Sequence, residues 1–416
     1  MRDRHPGNCR RYRWTAAIVL AGCSFSLLAT GCASYNARRV VPSDIQMAQT
    51  EIPEAELLDV GVLVFSSPPM TEEDARKKGT HIRVRQSEDH FVPCHLRNTL
   101  QQSAQWGAVR VLPEDGDAHD VVVNGEILES NGQTLVLRIS VTDATGRRWF
   151  EETYQAEATG KNYQDNIPWQ KDAFQDIYNT IANEMAAYRE MLTPEQILEI
   201  RRVAKLKFAR GFAPDAYGNY LAENEEGELR PKRLPADNDP MMARLMTIRD
   251  REYLFIDTLN QYYDGFYASM WPDYENWRKL DLTERLAREE VENSALLRKV
   301  GGVLLVATAI ALEVAGGRNS SGILEGLLLI SGGQVFMSGM NISKQAEMHA
   351  AAIEELSESF GADMEPVLMD VQGQIHELSG TAEEQYRQWR RLLKEIYLRE
   401  TGIVLPDQPP AGATNG

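Results

Sequence analysis

The chain has 416 residues, enough for two or three domains. Hydrophobic residues make up 43% and charged residues 25%, a balance that supports a buried core and argues against long disorder away from the ends. The 44 basic and 61 acidic side chains leave a net charge of -17, which speaks against nucleic acid as a partner, because a phosphate backbone needs a basic surface.

The N-terminus carries Arg2, Arg4, Arg10, Arg11 and Arg13 against one acid, Asp3. An apolar run from Trp14 to Thr30 follows, which is the pattern of a secretory signal. The run is marginal for a permanent membrane helix, which needs about 20 apolar residues. Gly22, Ser24 and Ser26 also interrupt it. It ends in Leu28-Ala29-Thr30-Gly31-Cys32, which resembles the lipobox of bacterial lipoproteins. The resemblance implies cleavage before the cysteine and a diacylglycerol on its thiol. Leu20-Ala21-Gly22-Cys23 is a second match. Cys32 is preferred, because a cut there removes the whole apolar run and a polar stretch, Ser34 to Ser43, follows at once. Cys23 stays as the alternative. The expectation is a signal peptide over 1–31 and a membrane anchor through lipid, since two acyl chains hold stably. The next residue is Ala33, or Ser24 in the alternative, and neither is the aspartate that retains enterobacterial lipoproteins at the inner membrane. By that resemblance the anchor is in the outer membrane, on its periplasmic side.

With Cys32 acylated, Cys94 is the other cysteine of the mature chain. An unpaired cysteine in an oxidising compartment reads as a buried thiol. His90, Cys94 and His95 are close in sequence but offer three ligands at most, and Pro93 interrupts any helical face. No metal and no cofactor is expected.

Residues 32–54 read as a linker and 55–160 as a first, α+β domain. Leu57 to Phe65 is a β-branched, apolar strand, and Ser66 to Gly79 a loop. Pro93 to Trp106 is a helix with Leu96, Leu100 and Ala104 on one face, stopped by Gly107. Val109 to Leu112 and Asp120 to Glu129 are strands, and Asn131-Gly132 is a hairpin turn. Thr134 to Asp143 alternates, Thr145-Gly146 turns the chain, and Arg148 to Ala158 returns. A helix on one face of a mostly antiparallel sheet satisfies this order. The order, with Asp143-Ala144-Thr145-Gly146 before an aromatic strand, resembles the periplasmic lipoprotein domains of the curli-secretion and penicillin-binding-protein-activator type. That resemblance implies a partner-binding role without catalysis.

Residues 168–361 read as a helical domain. Phe174, Ile177, Tyr178, Ile181 and Met185 give one apolar face. Thr193-Pro194-Glu195 caps a second helix. Gly211 to Asp239 reads as a long loop, and Pro240 to Met270 as an aromatic helix. The aromatics from Tyr253 to Trp277 read as a core between helices, with a groove for glycan or peptide as the sharper alternative. Val300–Gly317 and Gly322–Met340 form an apolar hairpin, 300–340, around Arg318-Asn319-Ser320-Ser321. Gly322 and Gly326 suit close packing in lipid, whereas Glu313 and Glu325 and the short length favour a buried hairpin in a helical bundle. The buried hairpin is preferred. Residues 365–402 read as a strand pair plus helix, faintly resembling the phospholipid-associated BON domains, and 403–416 as a disordered tail.

No G-x-S-x-G, H-E-x-x-H, phosphate loop or dinucleotide fingerprint occurs. The sequence therefore reads as a non-catalytic envelope lipoprotein of α+β class that binds a partner protein or a second copy. A membrane-inserting factor and an envelope hydrolase with acids beside the aromatic helix are the alternatives.

Overall fold

The computed structural model describes residues 36–78, 80–164, 171–313, 344–361, 364–371 and 374–401. The expected signal peptide 1–31 with Cys23 and Cys32, residues 314–340 of the expected hairpin and the expected tail 403–416 lie outside the described residues. Contacts divide the chain into Met1–Asn36 and Ala37–Gly416, and every element below belongs to the second unit.

The fold is α+β. β1 (Arg38–Arg39), β2 (Val60–Leu63), β3 (Val109–Leu112), β4 (Val121–Ser130), β5 (Thr134–Asp143) and β6 (Arg148–Glu157) form one sheet in the order β1-β6-β5-β4-β2-β3. β4, β5 and β6 make an antiparallel meander, and β2 runs parallel to both β3 and β4. Along β5 the buried Leu135, Leu137, Ile139 and Val141 alternate with half-exposed Arg138, Ser140 and Thr142. One face therefore packs and the other is partly wet. On the wet face Arg138 bonds Glu126, its cross-strand neighbour.

α1 (Glu72–Lys78) precedes α2 (Ile82–Gln102), which starts eleven positions before the expected Pro93. Pro93 lies inside α2. A mid-helix proline leaves the carbonyl four residues earlier without its helical donor. Here that carbonyl belongs to Asp89, and the Phe65 N–H donates to it at 2.9 Å. The proline thus becomes the joint between helix and sheet. The helix ends at Gln102, before Gly107, and Ala104 takes φ 55.

α2 serves two cores. Val92, Leu96 and Leu100 join the sheet, α3 (Gln175–Met191) and α4 (Pro194–Phe212). Phe91 and Cys94 join a second core built on α6. Between α4 and α6 lie the one-turn α5 (Pro214–Tyr217) and a small hairpin of β7 (Leu221–Glu223) and β8 (Leu229–Pro231), where a loop was expected.

α6 (Pro240–Glu313) is a single helix of 74 residues. It runs on through the expected stop near Met270. α7 (344–361) lies against it, with Ala350 and Ile353 in the second core. β9 (Val367–Val371) and β10 (Gln374–Leu378) pair antiparallel, and α8 (Ala382–Thr401) packs Tyr386, Trp389, Leu393, Ile396 and Tyr397 onto α6. No helix of the described residues is long and apolar enough to cross a membrane.

Candidate functional site

Each chemical cluster raised by the sequence is occupied with structural work. Cys94 is fully buried, and burial pushes its thiol up to about 12. His95 is 4% exposed and held neutral by burial. Its Nε2 faces Gln175 Oε1 at 2.9 Å, an acceptor only, so Nε2 carries the proton. Nδ1 then accepts from the Tyr267 hydroxyl at 2.7 Å. His90 turns the other way, to Glu383 Oε1 at 3.4 Å. Burial would raise Glu383, yet the His90 hydrogen bond holds it down at about 2. These three residues thus face different partners. Among the described residues no group of three His, Cys, Asp or Glu could hold a metal ion.

The aromatic run is a core. Phe255, Tyr263, Tyr274 and Trp277 are at most 1% exposed, and Phe266, Tyr267 and Trp271 are buried beside them. Phe91 of α2 stacks on Tyr267 and Trp271. Among the described residues these side chains pack on one another as core. A cleft of ≈ 490 Å³ does open where α1, α2, α6 and α7 meet. Its arginines are paired: Arg83 with Glu354 and with Glu358 beside the cleft, Arg285 with Asp281, and Arg288 with Glu284.

Sequence reasoning missed a buried polar network that ties α6 to the end of the sheet. Arg278 and Asp172 form an ion pair at 2.7 Å with both side chains 2% exposed. Burial works against both charges, but each holds the other ionised: Asp172 stays below the usual carboxylate range and Arg278 well above its ordinary value. Arg278 also lies 3.9 Å over the Tyr274 ring, and the Tyr274 hydroxyl bonds Glu88, which accepts from Ser130 Oγ at 2.5 Å. Beside this network, the Gly132 N–H donates to Asp281 Oδ2 at 2.8 Å, and a Cβ on Gly132 would strike the Arg278 carbonyl. Nothing in the sequence marks Arg278 or Asp172, because each is one charge among many, Arg278 on α6 and Asp172 in the residues just before α3.

The surface left for a partner is decided at the two sheet edges. At β3, Asn260 of α6 imitates a neighbouring strand: its Oδ1 accepts from Val111 N and its Nδ2 donates to Val111 O, both at 2.8 Å. At β6, β1 covers only two positions, Tyr154 and Gln155, and the Val40 N–H reaches the Gln155 carbonyl at 2.8 Å. Backbone groups alternate sides along a strand, so Thr153 and Glu151 also point outward. The Thr153 N–H is met by the side chain of Glu152 at 3.1 Å. Among the described residues no strand pairs with β6 beyond β1 on this side. Arg148 and Glu151 stand exposed along it, charges that blunt chance pairing.

Residues 40–48, within the expected linker, are strapped to α3. Asn179 Nδ2 donates to the Ser43 carbonyl at 2.8 Å. Asn183 accepts from Gln46 N at 2.8 Å and donates to the Asp44 carbonyl at 2.9 Å. The Ala48 N–H then reaches Ser103 O at 2.8 Å.

No family model matches the chain, and no curated protein sequence matches it. Among solved structures it is similar to a dodecamer of a PelC point variant from Paraburkholderia phytofirmans, at 13% identity and a TM-score of 0.20, over 34% of this chain and 94% of that one. A likeness of that size carries no argument about this chain.

Proposed function

We propose that the chain is a lipid-anchored protein of the bacterial cell envelope that works without catalysis as an assembly or accessory factor. Cys32 carries the acyl chains, with Cys23 as the alternative, and the body faces the periplasm from the outer membrane. It binds a partner protein, or a second copy, along the open part of β6. The reading rests on Leu28-Ala29-Thr30-Gly31-Cys32 at the end of a basic and then apolar leader. The uncovered half of β6 supports the partner role, since such an edge accepts an added strand. The test is fractionation of the wild type against a Cys23→Ser, Cys32→Ser variant exported by a cleavable signal. The variant is expected in the soluble periplasm. If it stays with membranes after alkaline washing, lipid is not the anchor.

One observation favours a second reading, the membrane-inserting hairpin. A continuous helix of 74 residues is about 110 Å long, which exceeds the width of a globular body of this size. Its far end, Val300 to Glu313, is the first arm of the expected apolar run. Retention of the double variant after alkaline washing is what this second reading expects.

A further inference from the structure

We infer that the strap along α3, Arg38 to Met47, is the face that lies against the phospholipid headgroups. The inference rests on acylation at Cys32. Six Cα steps separate Cys32 from Arg38, so a fully extended chain spans roughly 20 Å at most. Arg38 is fixed in the body by pairing with Tyr154 of β6. The acyl glycerol sits at the base of the headgroup layer. A body tied this closely has no room to stand away from the bilayer, and the strap is its nearest part.

The chemistry of the strap fits that neighbour. Val41 is 71% exposed and Met47 53%, although the strap between them is bonded to α3. Large apolar side chains held outward on a fixed segment suit the headgroup boundary. Met191, at the end of α3, is 71% exposed as well. Arg38 and Arg39 lie at the start of the strap with 47% and 68% of their side chains exposed. Each leans on one acid, Glu184 and Glu157 respectively, and keeps other N–H groups free of that partner for phosphate. Loss of the basic residues 1–31 leaves the acylated chain more acidic than the -17 of the full sequence, so an anionic leaflet repels most other approaches.

The test uses the full-length acylated protein in vesicles of phosphatidylethanolamine with phosphatidylglycerol. Val41→Cys, Met47→Cys and, as a remote control, Ile375→Cys are labelled with an environment-sensitive fluorophore. Ile375 is 72% exposed on β10, and Cys94 is buried with its thiol pushed up, so it contributes little background. Headgroup spin-labelled lipid is expected to quench positions 41 and 47 about twofold or more beyond position 375. Equal quenching at all three positions overturns the inference, whichever cysteine carries the acyl group. Cross-linking of Met47→Cys between copies, without quenching, overturns it too and gives the face to a second copy. Mass spectrometry of the N-terminal peptide and vesicle flotation report separately on acylation. A protein that floats with acylated Cys32 but shows equal quenching defeats the inference alone, whereas one with no acyl group defeats the anchor reading.

Discussion

The two edges of the sheet are finished in different ways. β3 ends against a helix, and the amide of Asn260 takes both the N–H and the C=O of Val111. β6 is covered over two residues by β1, and its next outward N–H, on Thr153, is met by the neighbouring Glu152 side chain. The first edge is closed by an element nearly 150 residues away in sequence, the second by short local contacts. An edge closed through tertiary packing is part of the core and cannot be vacated without loss of stability. An edge closed by a two-residue strand and a side chain can admit another strand at small cost. The molecule therefore spends its polar contacts fixing α6 to one end and side of the sheet, and leaves the opposite side available.

The strongest way to break this comparison is to cut α6 loose. Arg278→Ala leaves Asp172 as a buried, uncompensated charge, and removing one partner of such a pair costs about 3–5 kcal/mol. Urea denaturation should show that loss in the midpoint. A double replacement, Asp172→Leu with Arg278→Met, should recover most of it, because the buried pair itself is close to neutral against apolar residues. A loss below about 1 kcal/mol in Arg278→Ala would mean that the helix is held elsewhere.

Asn260→Leu attacks the closed edge directly. It leaves the Val111 N–H and C=O buried without partners, for about 1–3 kcal/mol. It should also bring concentration-dependent self-association, read by sedimentation, because a bare strand edge pairs with others. A stable, monomeric Asn260→Leu would show that the amide is not what closes β3.

Which of these features the sequence announces follows from how local each one is. Asn131-Gly132 is readable because the turn is made by its own side chain: Asn131 Oδ1 accepts from Gln133 N and Thr134 N, both at 2.8 Å. Thr193-Pro194 is readable for the same reason, since Thr193 accepts from Gln196 N at 3.3 Å. The start of α2 is not readable, because Pro93 breaks a helix unless something far away takes the Asp89 carbonyl, and Phe65 does so. The β7–β8 hairpin hides in a polar stretch because its anchor is tertiary, the Leu229 N–H on the Thr145 carbonyl at 2.7 Å. Asn260 looks like any polar residue on a helix. The aromatic run is legible as core from its spacing, but Arg278 and Asp172 within that core are not. The proposed lipid-attachment residue, Cys32 with Cys23 as the alternative, is read from the sequence alone and lies outside the described residues.

Acidity sharpens the comparison at the start of β4, where His119 and Asp120 are both buried and Asp120 accepts from the Asp59 N–H at 3.0 Å. Burial pushes Asp120 up to about 6 from 3.8. A raised carboxyl contributes stability that is full below the unfolded value and lost as pH rises through about 6. Burial, helped by Arg110 and Arg249, pushes His119 down to about 3 from 6.5. A lowered histidine contributes stability that is present above the unfolded value and lost as pH falls through about 3. The two slopes oppose each other between about pH 4 and pH 6. Asp89, also raised to about 6, and His95, also lowered, oppose each other likewise. These four groups should therefore offset one another in part from about pH 7 to about pH 5. Asp120→Asn should tilt stability downward on acidification and His119→Leu upward, each by about 1 kcal/mol. Parallel profiles in both variants would show that the two groups do not titrate as a buried pair.

The smallest effect on stability carries the most information about the open side. At Thr153 the N–H points away from β5 and bonds only the adjacent Glu152 side chain. Proline is tolerated on an edge strand where the N–H faces outward. Thr153→Pro should therefore cost about 1 kcal/mol or less, while Val111→Pro, which removes a donor already used by Asn260, should cost about 3 kcal/mol or more. The same Thr153→Pro change removes an outward donor from the slot where an added strand would sit. A photo-cross-linker at Glu151 should capture a partner in the wild-type background and lose it in Thr153→Pro, with folding intact by circular dichroism. If Thr153→Pro unfolds the protein, β6 is not an open edge. If it folds and still cross-links, the partner binds the wet face beside Arg138 and Glu126 rather than the strand edge.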